Sequence, residues 1–204
     1  NEELKVIRFV LAEFGYKPQK AAYFIQALTH KSSLTDHEQL AANERLEFLG
    51  DSILDAVVAS FVYEKYPEID EGQLTKIKSR IVNRKSLSAI GERMGIRKHL
   101  IYSQGRSINL AGLEGNAFEA LIGAIYLDGG FDKTQRVLKN TVFRKHLNLN
   151  KLLEEAKAAA AKIAEKSTLT VMAVKEAVNN VIEDDEPLII DVDDSPKGIQ
   201  GIDY

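Results

Sequence analysis

Cysteine is absent from the 204 residues, proline occurs four times, and aromatic residues make up only 7% of the chain. Without cysteine there are no disulfides and no thiolate metal sites, and a reducing, cytoplasmic setting is expected. No run approaches the roughly 18 apolar residues of a membrane span. The chain does not open on a basic-then-apolar signal segment, so no membrane association is expected. No internal repeat is present, and no alternating strand pattern precedes residue 150. What remains is an aliphatic-rich chain long enough for one well-packed domain with an appendage.

Charge is unevenly placed. Through Asn150 there are 21 Lys/Arg against 18 Asp/Glu, and from Lys151 onward 6 against 12. Between Lys76 and Arg106 nine basic residues face a single acid, Glu92. An acidic site beside such a stretch suits a protein that grips a polyanion and cuts it.

The acids gather in Asn43-Glu44-Arg45-Leu46-Glu47-Phe48-Leu49-Gly50-Asp51-Ser52-Ile53-Leu54-Asp55. At about 100° per residue, Leu46, Leu49, Ile53, Val57 and Phe61 share one broad helical arc. Glu44, Glu47, Asp51 and Asp55 stack on a second, narrower one. Like charges so spaced repel by roughly 0.2–0.5 kcal/mol per pair, which invites a cation. Taken alone, such a stripe reads as a solvated face. Phe48 falls outside the apolar arc, where a partner chain or a neighbouring element is expected to cover it.

The pattern predicts helices over residues 2–14, 19–29 and 43–66, the third capped by Asn43 and stopped by Pro67. Further helices are expected from about Gln73, from about Ser86 to Gly95, over Leu113–Leu127 and over Lys133–Phe143. An exposed loop carrying Arg106 spans 102–112. A lone His30 reads as a hydrogen-bonded structural residue, not a ligand. The fold expected is all-α over 1–148. Residues 149–204 read as a partly helical, acidic extension of unassigned role, with helices over 151–166 and 168–182 and a strand-like Leu188-Ile189-Ile190.

Asn116 and Glu119, three apart, share a second acidic face. Packed beside Glu44, Glu47 and Asp51 they would form an all-oxygen pocket suited to Mg²⁺. Such a site beside a basic stretch fits phosphodiester hydrolysis.

The segment Asn43–Ser52 resembles the signature of the ribonuclease III family almost letter for letter. The resemblance extends through Tyr66-Pro67, Glu71-Gly72-Gln73-Leu74-Thr75 and Asn116–Gly130, covering about residues 3 to 147. It implies a helical endonuclease domain that dimerises and cuts double-stranded RNA to 5′-phosphate and 3′-hydroxyl ends in rRNA and mRNA processing. It implies Mg²⁺, with Mn²⁺ as a substitute, and no organic cofactor. By position it makes Glu47, Asp51, Asn116 and Glu119 the metal ligands, adds Glu44 and Glu71 as further active-site acids, and seats Phe48 in the partner subunit. Lys76, Lys78, Arg80 and Arg84 are then phosphate-binding candidates, each of which also reads as a merely solvated side chain.

Two departures stand out. Asn116 occupies a position where most members of that family have Asp, leaving the site one charge short. Residues 151–204 also lack the order of a double-stranded-RNA-binding domain. Both features fit an alternative, a catalytically weak or inactive RNA-binding, ribosome-associated scaffold of the same fold.

Overall fold

The computed structural model describes residues 2–103 and 109–147, with residues 151, 154, 158, 165 and 168–176 beyond them. The chain divides into two units, Asn1–Ala160 and Ala161–Tyr204. The first is all-α: α1 (Glu2–Phe14), α2 (Ala21–Leu28), α3 (Glu44–Lys65), α4 (Glu71–Val82), α5 (Arg84–Arg93), α6 (Leu110–Gly129), α7 (Phe131–Val137) and α8 (Arg144–His146). A π-helical stretch, Leu138–Phe143, joins the last two. Among the described residues, the only extended pairing is a parallel bridge between Thr29 and Ile101.

α6 runs through the middle, packed by α3, α5 and α2. Its small residues allow close approach, and Phe118, Leu121, Ile122 and Ile125 fill the core beside Phe14, Phe24 and Leu54. At the α3–α6 crossing the two backbones touch. A methyl group on Gly50 would collide with the Glu119 carbonyl, and one on Gly123 with the Leu46 carbonyl. Only glycine at both positions permits this crossing.

Carboxylates fasten α6 near both ends. Near its start, Glu114 is 2% exposed and accepts from Arg97 Nε at 2.9 Å and Nη2 at 3.1 Å. Near its end, Asp128 accepts from the Tyr16 hydroxyl at 2.9 Å and from the backbone N–H groups of Gln19 (2.7 Å) and Lys20 (2.9 Å). Burial, reinforced by Asp128, pushes the Tyr16 phenol up to about 12.

Several boundaries differ from expectation, for local reasons. α4, α5 and α6 begin two or three residues early because Asp70, Asn83 and Asn109 accept the N–H groups of Gln73, Ser86 and Gly112. These are side-chain caps of the ordinary kind. Asn43, expected to cap α3, does not: its backbone is already helical (φ −73°, ψ −14°) and its side chain makes no capping bond. A capping side chain needs the extended backbone that Asn43 lacks. The residue is instead buried, its N–H bonded to the Thr29 carbonyl. The buried face of α3 is also rotated from the expected arc. Leu46, Gly50, Leu54, Val57, Val58 and Val62 are buried, whereas Leu49, Ile53 and Phe61 lie at its half-buried edge.

In the second unit, residues 168–176 are helical, with Leu169, Val171, Met172 and Val174 exposed. The strand expected at Leu188-Ile189-Ile190 and most of the two tail helices lie outside the described residues, as does Arg106. Among the described residues, no helix is long and apolar enough to cross a membrane.

Candidate active site

The glycine crossing sets one turn of α3 against one turn of α6. Glu47 and Asp51 project from the first, Asn116 and Glu119 from the second. Together with His30, Lys31, Asn43, Glu44 and Phe48 they line an open cavity of about 570 Å³. The two acidic faces read from the sequence therefore meet.

The ends of the α3 acidic stripe are neutralised. Lys31 Nζ lies 2.7 Å from Glu44 Oε1, and Lys78 Nζ lies 2.8 Å from Asp55 Oδ2. Between them, Glu47, Asp51 and Glu119 repel one another. Burial pushes the Glu119 carboxyl up to about 7, with the charges of Asp51 and Glu47 adding to the rise and Arg84 opposing it. Glu47 is also raised, first by burial and then by Glu44. Arg84 and then the Asn116 side-chain amide pull it back.

The Asn116 amide thus favours the ionised Glu47 carboxylate, which the charge of an Asp at this position would instead repel. A primary amide that donates from nitrogen still offers its carbonyl oxygen as an acceptor.

The donor set fits a hard divalent cation: oxygen only, negatively charged and electrostatically crowded. Among the described residues no three His, Asp or Glu side chains are gathered into a ready metal cluster. Mg²⁺ does not require one, because it keeps several waters and takes one or two carboxylates directly.

Other expected site residues lie around this centre. Glu71 begins α4, accepts from the Thr75 hydroxyl at 2.9 Å and is not among the residues lining the cavity. Arg84 stands on the first turn of α5, with its charge acting on both Glu47 and Glu119. Lys76 and Arg80 are half-exposed on α4, and Lys78 is engaged by Asp55. Phe48 is 76% exposed, beside a second, more apolar cavity lined by Gln26, Glu44, Arg45, Leu46, Leu49 and Leu127.

Sequence reasoning missed the other wall. His30 does make structural hydrogen bonds, since its Nδ1 accepts from the Ser32 N–H at 3.2 Å, yet it also lines the cavity. Its imidazole is pushed below the usual range, chiefly by burial and then by Lys31. Nothing in the spacing announces this wall, because the tertiary pairing of residues 28–33 with 101–103 brings it there.

With this geometry in hand, known proteins of similar sequence and fold can be set beside the chain. A family model described as Ribonuclease-III-like matches residues 21–146. A Ribonuclease 3 of Symbiobacterium thermophilum is 37% identical over 158 residues, covering 76% of this chain and 64% of that one. A Ribonuclease 3 of Phocaeicola vulgatus is 41% identical over 140 residues, covering 68% and 46%. The chain thus spans about half to two thirds of the length of these curated relatives. The nuclease domain of ribonuclease III from Campylobacter jejuni superposes with a TM-score of 0.63 at 31% identity, covering 69% of this chain and 98% of that one. For that protein, structural flexibility is described in a region involved in dimer formation. Dicer from Giardia intestinalis shares the fold, with a TM-score of 0.54 at 20% identity, covering 72% of this chain and 20% of that one.

Proposed function

The chain belongs to the ribonuclease III family, and from that premise we propose that it is an endoribonuclease that cuts double-stranded RNA by metal-dependent phosphodiester hydrolysis. The observation that carries the reading is the meeting of Glu47, Asp51, Asn116 and Glu119 in one cavity, where burial and then the neighbouring acids push the Glu119 carboxyl up to about 7.

In this reading Glu47, Asp51 and Glu119 hold Mg²⁺ with their carboxylates and Asn116 with its amide oxygen. When bound, the ion would activate water and neutralise charge on the phosphate and on the leaving oxygen. The protein's own contribution is orientation. Asn116 steadies the Glu47 carboxylate, and the backbone crossing at Gly50 and Gly123 fixes the two helices that carry the four donors. Arg84 places a cation beside the acids, where it offsets part of the negative charge that an approaching phosphodiester would meet. Lys76 and Arg80 are suited to backbone contacts farther along the duplex, and Lys78 joins them when it exchanges Asp55 for phosphate. Glu44 and Glu71 serve as flanking acids.

The working unit is a homodimer, with Phe48 of each protomer seated in an apolar cavity of the other. Ribosomal-RNA precursors and structured messages are the natural substrate class. The test is incubation of the protein with a long RNA duplex and Mg²⁺ at low salt, beside a Glu119→Ala control. Cleavage by the unmodified protein and none by the control is expected. No cleavage by the unmodified protein would refute the reading.

A further inference from the structure

Lys31 is the only lysine or arginine among the described residues that line the acidic cavity. It sits on a short 3₁₀ turn, Lys31–Ser33, that is tied down on both sides. The His30 N–H donates to the Ile101 carbonyl at 2.8 Å, and the Ser103 N–H donates to Ser32 Oγ at 3.0 Å. His30 Nδ1 accepts the Ser32 N–H within the turn itself. The turn is therefore held in place while the long Lys31 side chain keeps its freedom, at 52% exposure.

Its partner, Glu44 at 2.7 Å, is equally exposed, at 53%. An ion pair this wet is weak and readily exchanged. The Glu47 charge also acts on Lys31, after Glu44. The cavity thus has a cation on the His30 side, while Arg84 acts on the same acids from α5.

Resting on the endonuclease reading, we propose that Lys31 is a substrate-binding residue, its ammonium passing from Glu44 to a phosphate of the RNA strand as the duplex seats over the acidic cavity. Glu44 serves as the place where this charge waits. A phosphodiester entering a pocket lined by Glu44, Glu47, Asp51 and Glu119 meets repulsion on every acidic side, and a mobile ammonium offsets it. The exchange breaks one exposed ion pair and makes another, so it is nearly balanced, while the released counterions favour the bound state. A purely structural Lys31 would do no more than hold Glu44 in place.

The two roles separate in binding. In a Glu119→Gln background, which prevents turnover, affinity for a short labelled RNA duplex is measured across a salt series for the parent, Lys31→Met and Lys31→Arg. Lys31→Met is expected to bind roughly 3- to 10-fold more weakly. Its log–log salt slope should be shallower by about 0.9, the value for one lost phosphate contact. Lys31→Arg should retain the parent slope. Matching thermal midpoints exclude a folding defect as the cause of any change. An unaltered affinity and slope in Lys31→Met, with the parent binding normally, would overturn this inference alone. Failure of the parent to bind duplex RNA would overturn the endonuclease reading, and this inference with it.

Discussion

Replacing Glu119 with Gln should make the protein more stable, and only at the higher end of the pH range. The carboxyl rises from 4.5 to about 7 on folding, through burial and the charges of Asp51 and Glu47. At about 1.36 kcal/mol per pKa unit this corresponds to roughly 3 kcal/mol of strain when the group is ionised. Because Glu119 keeps partial exposure, solvent screening makes that figure an upper bound. Below about pH 4.5 the group is protonated in folded and unfolded chains alike, and it destabilises neither. Between about pH 4.5 and 7 the unfolded chain has given up a proton that the folded protein still holds, so stability falls across that window and the full loss is present once pH passes about 7. The assay is denaturant unfolding of the wild type and Glu119→Gln in chelator at pH 5 and pH 8. The variant should exceed the wild type by less than about 1 kcal/mol at pH 5 and by about 1–3 kcal/mol at pH 8. Mg²⁺ added at pH 8 should then raise the wild-type midpoint more than that of the variant, since the ion binds only the folded site. A stability difference that is the same at both pH values would refute the electrostatic account of the cavity.

Gly50→Ala should destabilise the fold by about 3 kcal/mol or more, the upper end for overpacking, because the new methyl meets backbone and not a yielding side chain; an unchanged melting midpoint would show that α3 and α6 are not in contact there. Phe48→Glu should leave the monomer fold intact, since the side chain is 76% exposed in a single protomer. It should weaken dimerisation by roughly 10²–10⁴-fold, as expected when two symmetry-related Phe side chains lose about 1.5–3 kcal/mol of burial each. Light scattering across a dilution series checks this, and a wild-type monomer at micromolar concentration would remove the premise.

The all-α architecture and the two acidic helix faces were legible because each rests on one helix's own periodicity. What escaped notice depends on pairs of elements distant in sequence. The expected apolar arc of α3 followed ideal spacing, yet this helix is apolar around much of its circumference, and its tertiary neighbours decide which part is covered. Asn43 carries a capping residue's letter but not its backbone; just ahead of the helix it is buried, with its N–H bonded to the Thr29 carbonyl. Nothing in its own helix marks Glu114 for burial; its partner is Arg97, which reaches it from the 3₁₀ turn that follows α5. Lys31 gave no local sign at all, since its meaning comes from Glu44, thirteen residues away and across the cavity wall. Asn116 was recognised as a missing charge, while the effect of its amide on the Glu47 carboxylate could be known only from the packed helices.

The crossing at Gly50 and Gly123 separates two things that most catalytic pockets entangle. The spacing of the helices is decided by carbonyl and amide atoms that every residue carries, whereas the character of the pocket is decided by side chains a turn away. Residue 116 can therefore alternate between amide and acid, and its neighbours can gain or lose charge, without moving the two helices that carry the donors. Such a frame lets a lineage retune its preference for an ion or a substrate one substitution at a time, while the glycines themselves admit no drift.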